Sequence, residues 1–134
     1  MITEKTDFQV FTFDADNKLA TIVWQENTNK MTEEQYQDEQ IQCRDFCLRH
    51  KPTKLCVNSQ NLFFVISPDL QVWTDANLVQ PLMKEGVRRF AFIMPEDLFT
   101  QVSIHQAVEE NQQQLESSRF FDKEAEAMSW LLKE

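Results

Sequence analysis

Glycine is nearly absent. The 134 residues hold one, Gly86, where ordinary usage would give about nine. A single glycine cannot build a dinucleotide fingerprint, a phosphate-cradling loop or the sharp elbow that presents a hydrolase serine. Basic charge is also scarce: 13 lysines and arginines stand against 22 aspartates and glutamates, a net charge of −9. That balance argues against a nucleic-acid partner and against an anionic membrane surface, since both need basic patches. Long apolar runs are missing. The longest, residues 62–66 and 90–94, fall far short of the ~20 residues of a bilayer span, so no membrane insertion is expected. The three cysteines are odd in number, and the N-terminus Met1-Ile2-Thr3-Glu4-Lys5-Thr6-Asp7 is polar and acidic. It reads as no signal peptide, and the thiols read as reduced, in a cytoplasmic protein.

What is present suffices for one domain over residues 1–134. Apolar residues make up 42% and charged residues 26%, a composition that builds a core. Residues 9–13 and 18–24 are β-type runs around the turn-forming Asp14-Ala15-Asp16-Asn17, which predicts a hairpin. Thr32 followed by Gln35 has the capping-box spacing, and a helix is expected to run to His50, just before Pro52. Residues 54–58 read as a buried strand. Ser67-Pro68 suits a helix start and Gly86 its stop. Pro81 falls inside that span and cannot donate to the carbonyl of Asn77, so a kink or break is expected there. Residues 87–94 form the most strand-like run. A long helix is expected from Pro95 to Gln113, then a strand over residues 118–121. Asp122 is expected to cap a last helix with Ala125, Met128 and Leu132 on one face. The order ββαβαβαβα predicts an α/β fold, its mixed sheet opening with an antiparallel hairpin and continuing through β-α-β units.

Three stretches carry a family resemblance. They are the run from Asn61 through Phe63-Phe64-Val65-Ile66-Ser67-Pro68-Asp69-Leu70 to Trp73, the run Gly86-Val87-Arg88-Arg89-Phe90-Ala91-Phe92-Ile93 with Glu96-Asp97-Leu98-Phe99, and the ending Phe120-Phe121-Asp122-Lys123-Glu124-Ala125 through Trp130-Leu131. Together they resemble the small bacterial SpoIIAA-like proteins of the STAS and Sec14-like group. The resemblance implies a SpoIIAA-like mixed sheet covered by helices and a regulatory character. It also implies a phosphoacceptor serine near the end of a central strand, in an Asp-Ser-Ser-Gly-type context. The matching stretch here is Val57-Asn58-Ser59-Gln60-Asn61. Ser59 is the candidate, without the aspartate and the glycine.

Chemistry-bearing constellations are few. Cys43, Cys47 and His50 share a helical face, but Tyr36 lies on it too and no fourth ligand appears, so core thiols are expected and no metal. Asp14-Ala15-Asp16 lacks the glycine and glutamate of a calcium loop, with Leu19 and Gln25 in their places. Ser103 and His105 point to different faces of one helix, and Glu33-Glu34 and Glu109-Glu110 read as solvated acidic faces. The chain is therefore expected to be no enzyme and to need no cofactor.

The most informative feature is apolar. Val72, Ala76, Val79 and Met83 form a stripe expected to face the sheet. Leu70 and Trp73 lie off it, and the loop before them, residues 62–66, is too apolar for free solvent. This loop leaves the end of a parallel strand, where open α/β sheets place ligands. Phe63, Phe64, Leu70 and Trp73 are thus the candidate binding surface. The helix after Pro95 has apolar residues on two sides, Leu98 and Val102 against Ile104, Val108 and Leu115, which points to burial or a homodimer. The expected function is a non-enzymatic interaction module with a protein partner or a second copy. The alternatives are a small carrier of an apolar ligand and an enzyme of unidentified type built around Asn58, Ser59 and Ser67.

Overall fold

Asp14 closes the expected hairpin. Its carboxylate accepts from the backbone N–H groups of Asp16 (3.1 Å) and Asn17 (3.4 Å) and from the Asn17 side-chain amide (2.8 Å). The Asn17 amide, with those N–H groups, holds the carboxyl below the usual carboxylate range. Lys18 then takes a left-handed φ of 51°. The turn sets the register of β2 (Gln9–Asp14) on β3 (Leu19–Trp24), from Asp14↔Leu19 to Gln9↔Trp24. The computed structural model describes residues 1–95 and 117–133. The helix expected from Pro95, with Ser103, His105, Glu109-Glu110 and its two apolar sides, lies outside the described residues.

The sheet has six strands in the order of the sequence, β1 to β6. β1 (Ile2–Lys5) pairs antiparallel with β2. Sequence reading missed it because all four of its residues are exposed, which leaves no apolar alternation to detect. β4 (Lys54–Asn58), β5 (Arg89–Ile93) and β6 (Ser118–Phe121) follow β3 in parallel. The hairpin and the parallel units of the expected α/β fold are therefore present, with one strand more. Each parallel strand adds on the same side of the one before. The strand-order reversal that opens a ligand crevice in α/β sheets does not occur among the described strands.

α1 (Glu33–His50) starts on the expected capping box. Thr32 accepts from the Gln35 N–H at 3.1 Å, and the Gln35 side chain accepts from the Thr32 N–H at 2.9 Å. It ends on left-handed Lys51, whose N–H donates to the Cys47 carbonyl. α1 covers one sheet face, joining Tyr36, Cys43, Phe46 and Cys47 to Phe11, Ile22, Trp24, Leu55 and Phe90.

The second rod is α2 (Pro68–Thr74), a π turn (Asp75–Val79) and α3 (Gln80–Lys84). Ser67 caps it by accepting from the Leu70 N–H, and Gly86 at φ 115° ends it. Pro81 has its expected effect one turn early. The Gln80 N–H reaches back five residues to the Asp75 carbonyl, and the Asn77 carbonyl accepts from Arg44 Nη1 on α1 at 3.4 Å.

The π turn overturns the expected sheet-facing stripe. Val72, Ala76 and Met83 are exposed, and Leu70, Leu78 and Leu82 are buried. In an unbroken α-helix Leu78 and Leu82 would stand about 80° and 120° from Leu70. The one extra residue of a π turn brings both within about 20° of it. A plain helical period therefore selects the wrong side.

α4 (Glu124–Leu132) packs on the opposite sheet face. Its cap is Lys123 rather than Asp122, with no side-chain bond. Ala127 and Leu131 face inward; of the expected face, Met128 packs against the core while Ala125 and Leu132 are exposed. Small side chains decide the contact: Ala127 meets the layer of Cys56 and Ala91. None of the described helices is long and apolar enough to cross a membrane.

Candidate functional site

The chain leaves β4 through Asn58-Ser59-Gln60-Asn61 and then behaves as an extended segment with alternating sides. Leu62, Phe64 and Ile66 pack against the core. Phe63 and Val65 point outward, 56% and 89% exposed. Two anchors impose this alternation. Thr28, fully buried in the 3₁₀ turn Glu26–Lys30, donates to the Asn61 carbonyl (3.1 Å) and accepts from the Phe63 N–H (2.8 Å). The second anchor is aromatic: the Phe64 ring stacks on Tyr36 at 5.3 Å, and Tyr36 stacks on Trp24 at 5.8 Å.

Tyr36 also ties α1 to α2. Gln40 Nε2 donates to its hydroxyl at 2.9 Å. Thr74 Oγ1 gives its proton to the Leu70 carbonyl at 2.7 Å, so the Tyr36 hydroxyl donates to Thr74 at 2.8 Å. Burial pushes the phenol above its ordinary range, against the effect of both side-chain bonds.

Of the four residues read as a binding surface, the structure thus separates two pairs. Leu70 is 5% exposed and belongs to the core, and half-buried Phe64 packs against it on Tyr36. Trp73 is half-buried. Phe63 faces solvent, and so do Val65 and Val72, the last 71% exposed. The sequence hid Val65 because all five residues of the run 62–66 are apolar and any alternation is invisible. It hid Val72 through the π turn.

Compared with protein-family models, with curated proteins and with solved structures, the chain finds no match.

Ser59 is half-buried, and its backbone N–H donates to the Ile93 carbonyl at 2.7 Å. Asn58 Oδ1 accepts from the Gln60 N–H, and the Gln60 side chain donates to the Asp122 carbonyl. These polar groups hold the ends of β4, β5 and β6 together. Ser67 is engaged as a helix cap.

The cysteines are all buried. A hydrogen bond between the Cys43 and Cys47 thiols, with burial, holds Cys43 well above the ordinary thiol range. Burial, then the nearby Glu124 carboxylate, pushes Cys56 up to about 12. His50 stacks on Phe13 at 5.2 Å and meets Phe46 at a tilt at 4.6 Å. Among the described residues no group of three or more His, Cys, Asp or Glu could hold a metal. All three thiols are out of reach of solvent, so a soluble disulfide reagent is expected to modify none of them in the folded protein and all three in denaturant. Rapid native labelling of any one would contradict this core role.

A buried acid that sequence reading missed lies beneath the β1–β2 turn. Glu39 on α1 is 3% exposed. Its Oε1 accepts from the Thr6 hydroxyl. The fully buried Gln9 amide nitrogen, in the orientation that satisfies both of its ends, lies 3.2 Å from Oε1 and 3.1 Å from the Glu39 carbonyl. The ion pairs among the described residues are Arg44–Asp45 and Arg49–Glu4, so no cation answers Glu39 there. Burial raises its carboxyl above the ordinary value, and the charges of Asp7 and Asp38 add to the shift. Helical spacing could have found it: Glu39 lies three residues after Tyr36 and four before Cys43, on the buried face.

Proposed function

We propose that the chain is a non-enzymatic cytoplasmic interaction module of SpoIIAA-like type with a regulatory role. Its docking surface is Phe63 and Val65, with Val72 on the first turns of α2. The supporting observation is three large apolar side chains facing solvent within ten residues, on a segment whose other members are fixed in the core. A mobile loop would lose entropy on binding, whereas this one is anchored in advance by Thr28 and Tyr36. Burying each such side chain on a partner is worth about 1.5–3 kcal/mol. The carrier reading is disfavoured, because Leu62, Phe64, Ile66 and Leu70 fill the space behind the loop. The enzyme reading is disfavoured because Ser67 is engaged as a cap and Asn58 with Gln60 as strand-end ties.

The test is a Phe63→Glu, Val65→Glu double variant. Both positions are exposed, so its thermal midpoint should match that of the parent. Its association with partner, read by affinity recovery from the native host and by light scattering, should fall at least tenfold, since each lost contact exceeds the ~1.4 kcal/mol of one decade. Undiminished recovery and unchanged mass would remove the surface from consideration.

A further inference from the structure

The charges of this acidic chain are shared unevenly between its two poles. Where the parallel strands begin, the backbone brings basic residues together. The Lys18 carbonyl accepts from the Thr53 and Lys54 N–H groups at 2.9 and 3.2 Å, and the Thr53 carbonyl accepts from the Arg88 N–H at 2.8 Å. Lys54 stands in register beside Arg89. On the α4 side the Arg89 and Arg119 guanidinium groups lie 5.6 and 5.7 Å from the Trp130 ring centre, and Arg89 also donates to the Trp130 and Lys133 carbonyls. No described acid forms an ion pair with these cations; Asp14 nearby is engaged by its own turn, and Asp16 and Glu85 leave the rim with an excess of cations.

Where the same strands finish, the character reverses. Phe63 and Val65 are exposed there, beside the first turns of α1 and α2 with Glu33, Glu34 and Asp69. Residues 55–83 contain two charges, Asp69 and Asp75, and no cation; Lys30 and Lys123 stand at the same end, outnumbered by Glu26, Glu33, Glu34, Asp69 and Asp122.

We propose that copies of this chain associate head to tail, the basic rim around Trp130 of one seated on the Phe63–Val65 end of the next. The proposal rests on the reading of Phe63 and Val65 as a docking surface and names its occupant. Charge complementarity selects the match, with apolar side chains and carboxylates on one end and guanidinium groups flanking an indole on the other. The two surfaces lie at opposite ends of one set of strands, so the contact is heterologous and each copy keeps one free end. The net charge of −9 on each copy opposes approach from afar. Salt confines that repulsion to about 8–10 Å, inside which the facing poles decide. A nucleic-acid duplex or anionic bilayer extends past the rim and meets the acidic remainder.

Sedimentation velocity of the full chain tests it. At about 0.1 M salt the weight-average mass should climb above one chain as concentration rises, and it should fall back near 1 M. An Arg88→Glu, Arg119→Glu variant and a Phe63→Glu variant should each associate at least tenfold more weakly. Mixed together they should form a one-to-one dimer, since each keeps the half that the other lost. Should the charge-reversed rim fail to fold, Arg88→Gln with Arg119→Gln replaces it. A monomer at every concentration, association indifferent to salt, or a mixture that stays monomeric overturns the proposal. Association lost with Phe63→Glu but kept by the rim variant would leave the docking surface standing and overturn the head-to-tail partner. Firm binding of a 20-base-pair DNA duplex or of phosphatidylserine vesicles, lost in the rim variant, would overturn it in favour of a polyanion.

Discussion

Tyr36→Ala is expected to destabilise the chain by about 3–5 kcal/mol, the range for truncating a large buried aromatic. The residue stands between Trp24 of the sheet and Phe64 of the loop in one stack. Its hydroxyl carries the relay from Gln40 through Thr74 to the Leu70 carbonyl. Truncation removes the wall on which Phe64 rests, so residues 62–66 lose their alternation along with the core. Tyr36→Phe keeps both stacks and leaves Gln40 and Thr74 each short of a partner, a cost of about 1–3 kcal/mol. Urea denaturation of the three proteins gives the ranking. Backbone exchange at Phe63, whose N–H depends on Thr28, should rise in the alanine variant and stay near the parent in the phenylalanine one. An alanine variant less than about 1.5 kcal/mol below the parent would refute the central place given to the stack.

The second large effect is on pH dependence. Burial raises the Glu39 carboxyl above its ordinary value, so between those two values the folded chain holds more of the proton than the unfolded chain. Stability from this group therefore falls as pH rises through that window, and above it the buried charge is a standing cost. Asp7 in the turn and Asp38 on α1 are the charged neighbours that deepen the shift. Glu39→Gln removes the titration. The difference in unfolding free energy, variant minus parent, should grow as pH rises above the ordinary glutamate value and level off once the buried carboxyl has ionised. Glu39→Ala instead leaves the Thr6 hydroxyl and Gln9 amide without their acceptor and should cost about 1–3 kcal/mol. A difference that is flat with pH, or that shrinks as pH rises, would refute the assignment.

These two residues mark where sequence reading stopped. The hairpin at Asp14, the capping box at Thr32, the Ser67 cap and the Gly86 stop were all legible, because each is a short-range bond between near neighbours. The Thr6–Glu39 and Thr28–Asn61 bonds each span 33 residues, and no local pattern announces them. The stripe on the second rod failed for a sharper reason. Pro81 was read correctly as a fault, but the fault took the form of an added residue, and that rotated every later position. Phe63 was legible as a surface candidate because it is a phenylalanine in a loop, while its neighbour Phe64 is identical in type and packs against the core. Only the anchors at Thr28 and Tyr36 tell the two apart.

The strand order has a consequence for how the chain is made. Each strand of this sheet pairs with the one just before it in sequence. During synthesis, every new strand thus meets an edge already in place, and none must wait for a later segment to complete its ladder. Parallel strands ordinarily fold slowly because their partners are distant. Here each crossover closes onto its immediate predecessor, so the sheet can grow in the direction of translation, one strand at a time. A nascent chain halted after β5 would carry five of the six strands correctly paired, with β1 and β5 as its edges and β5 the one still to be extended.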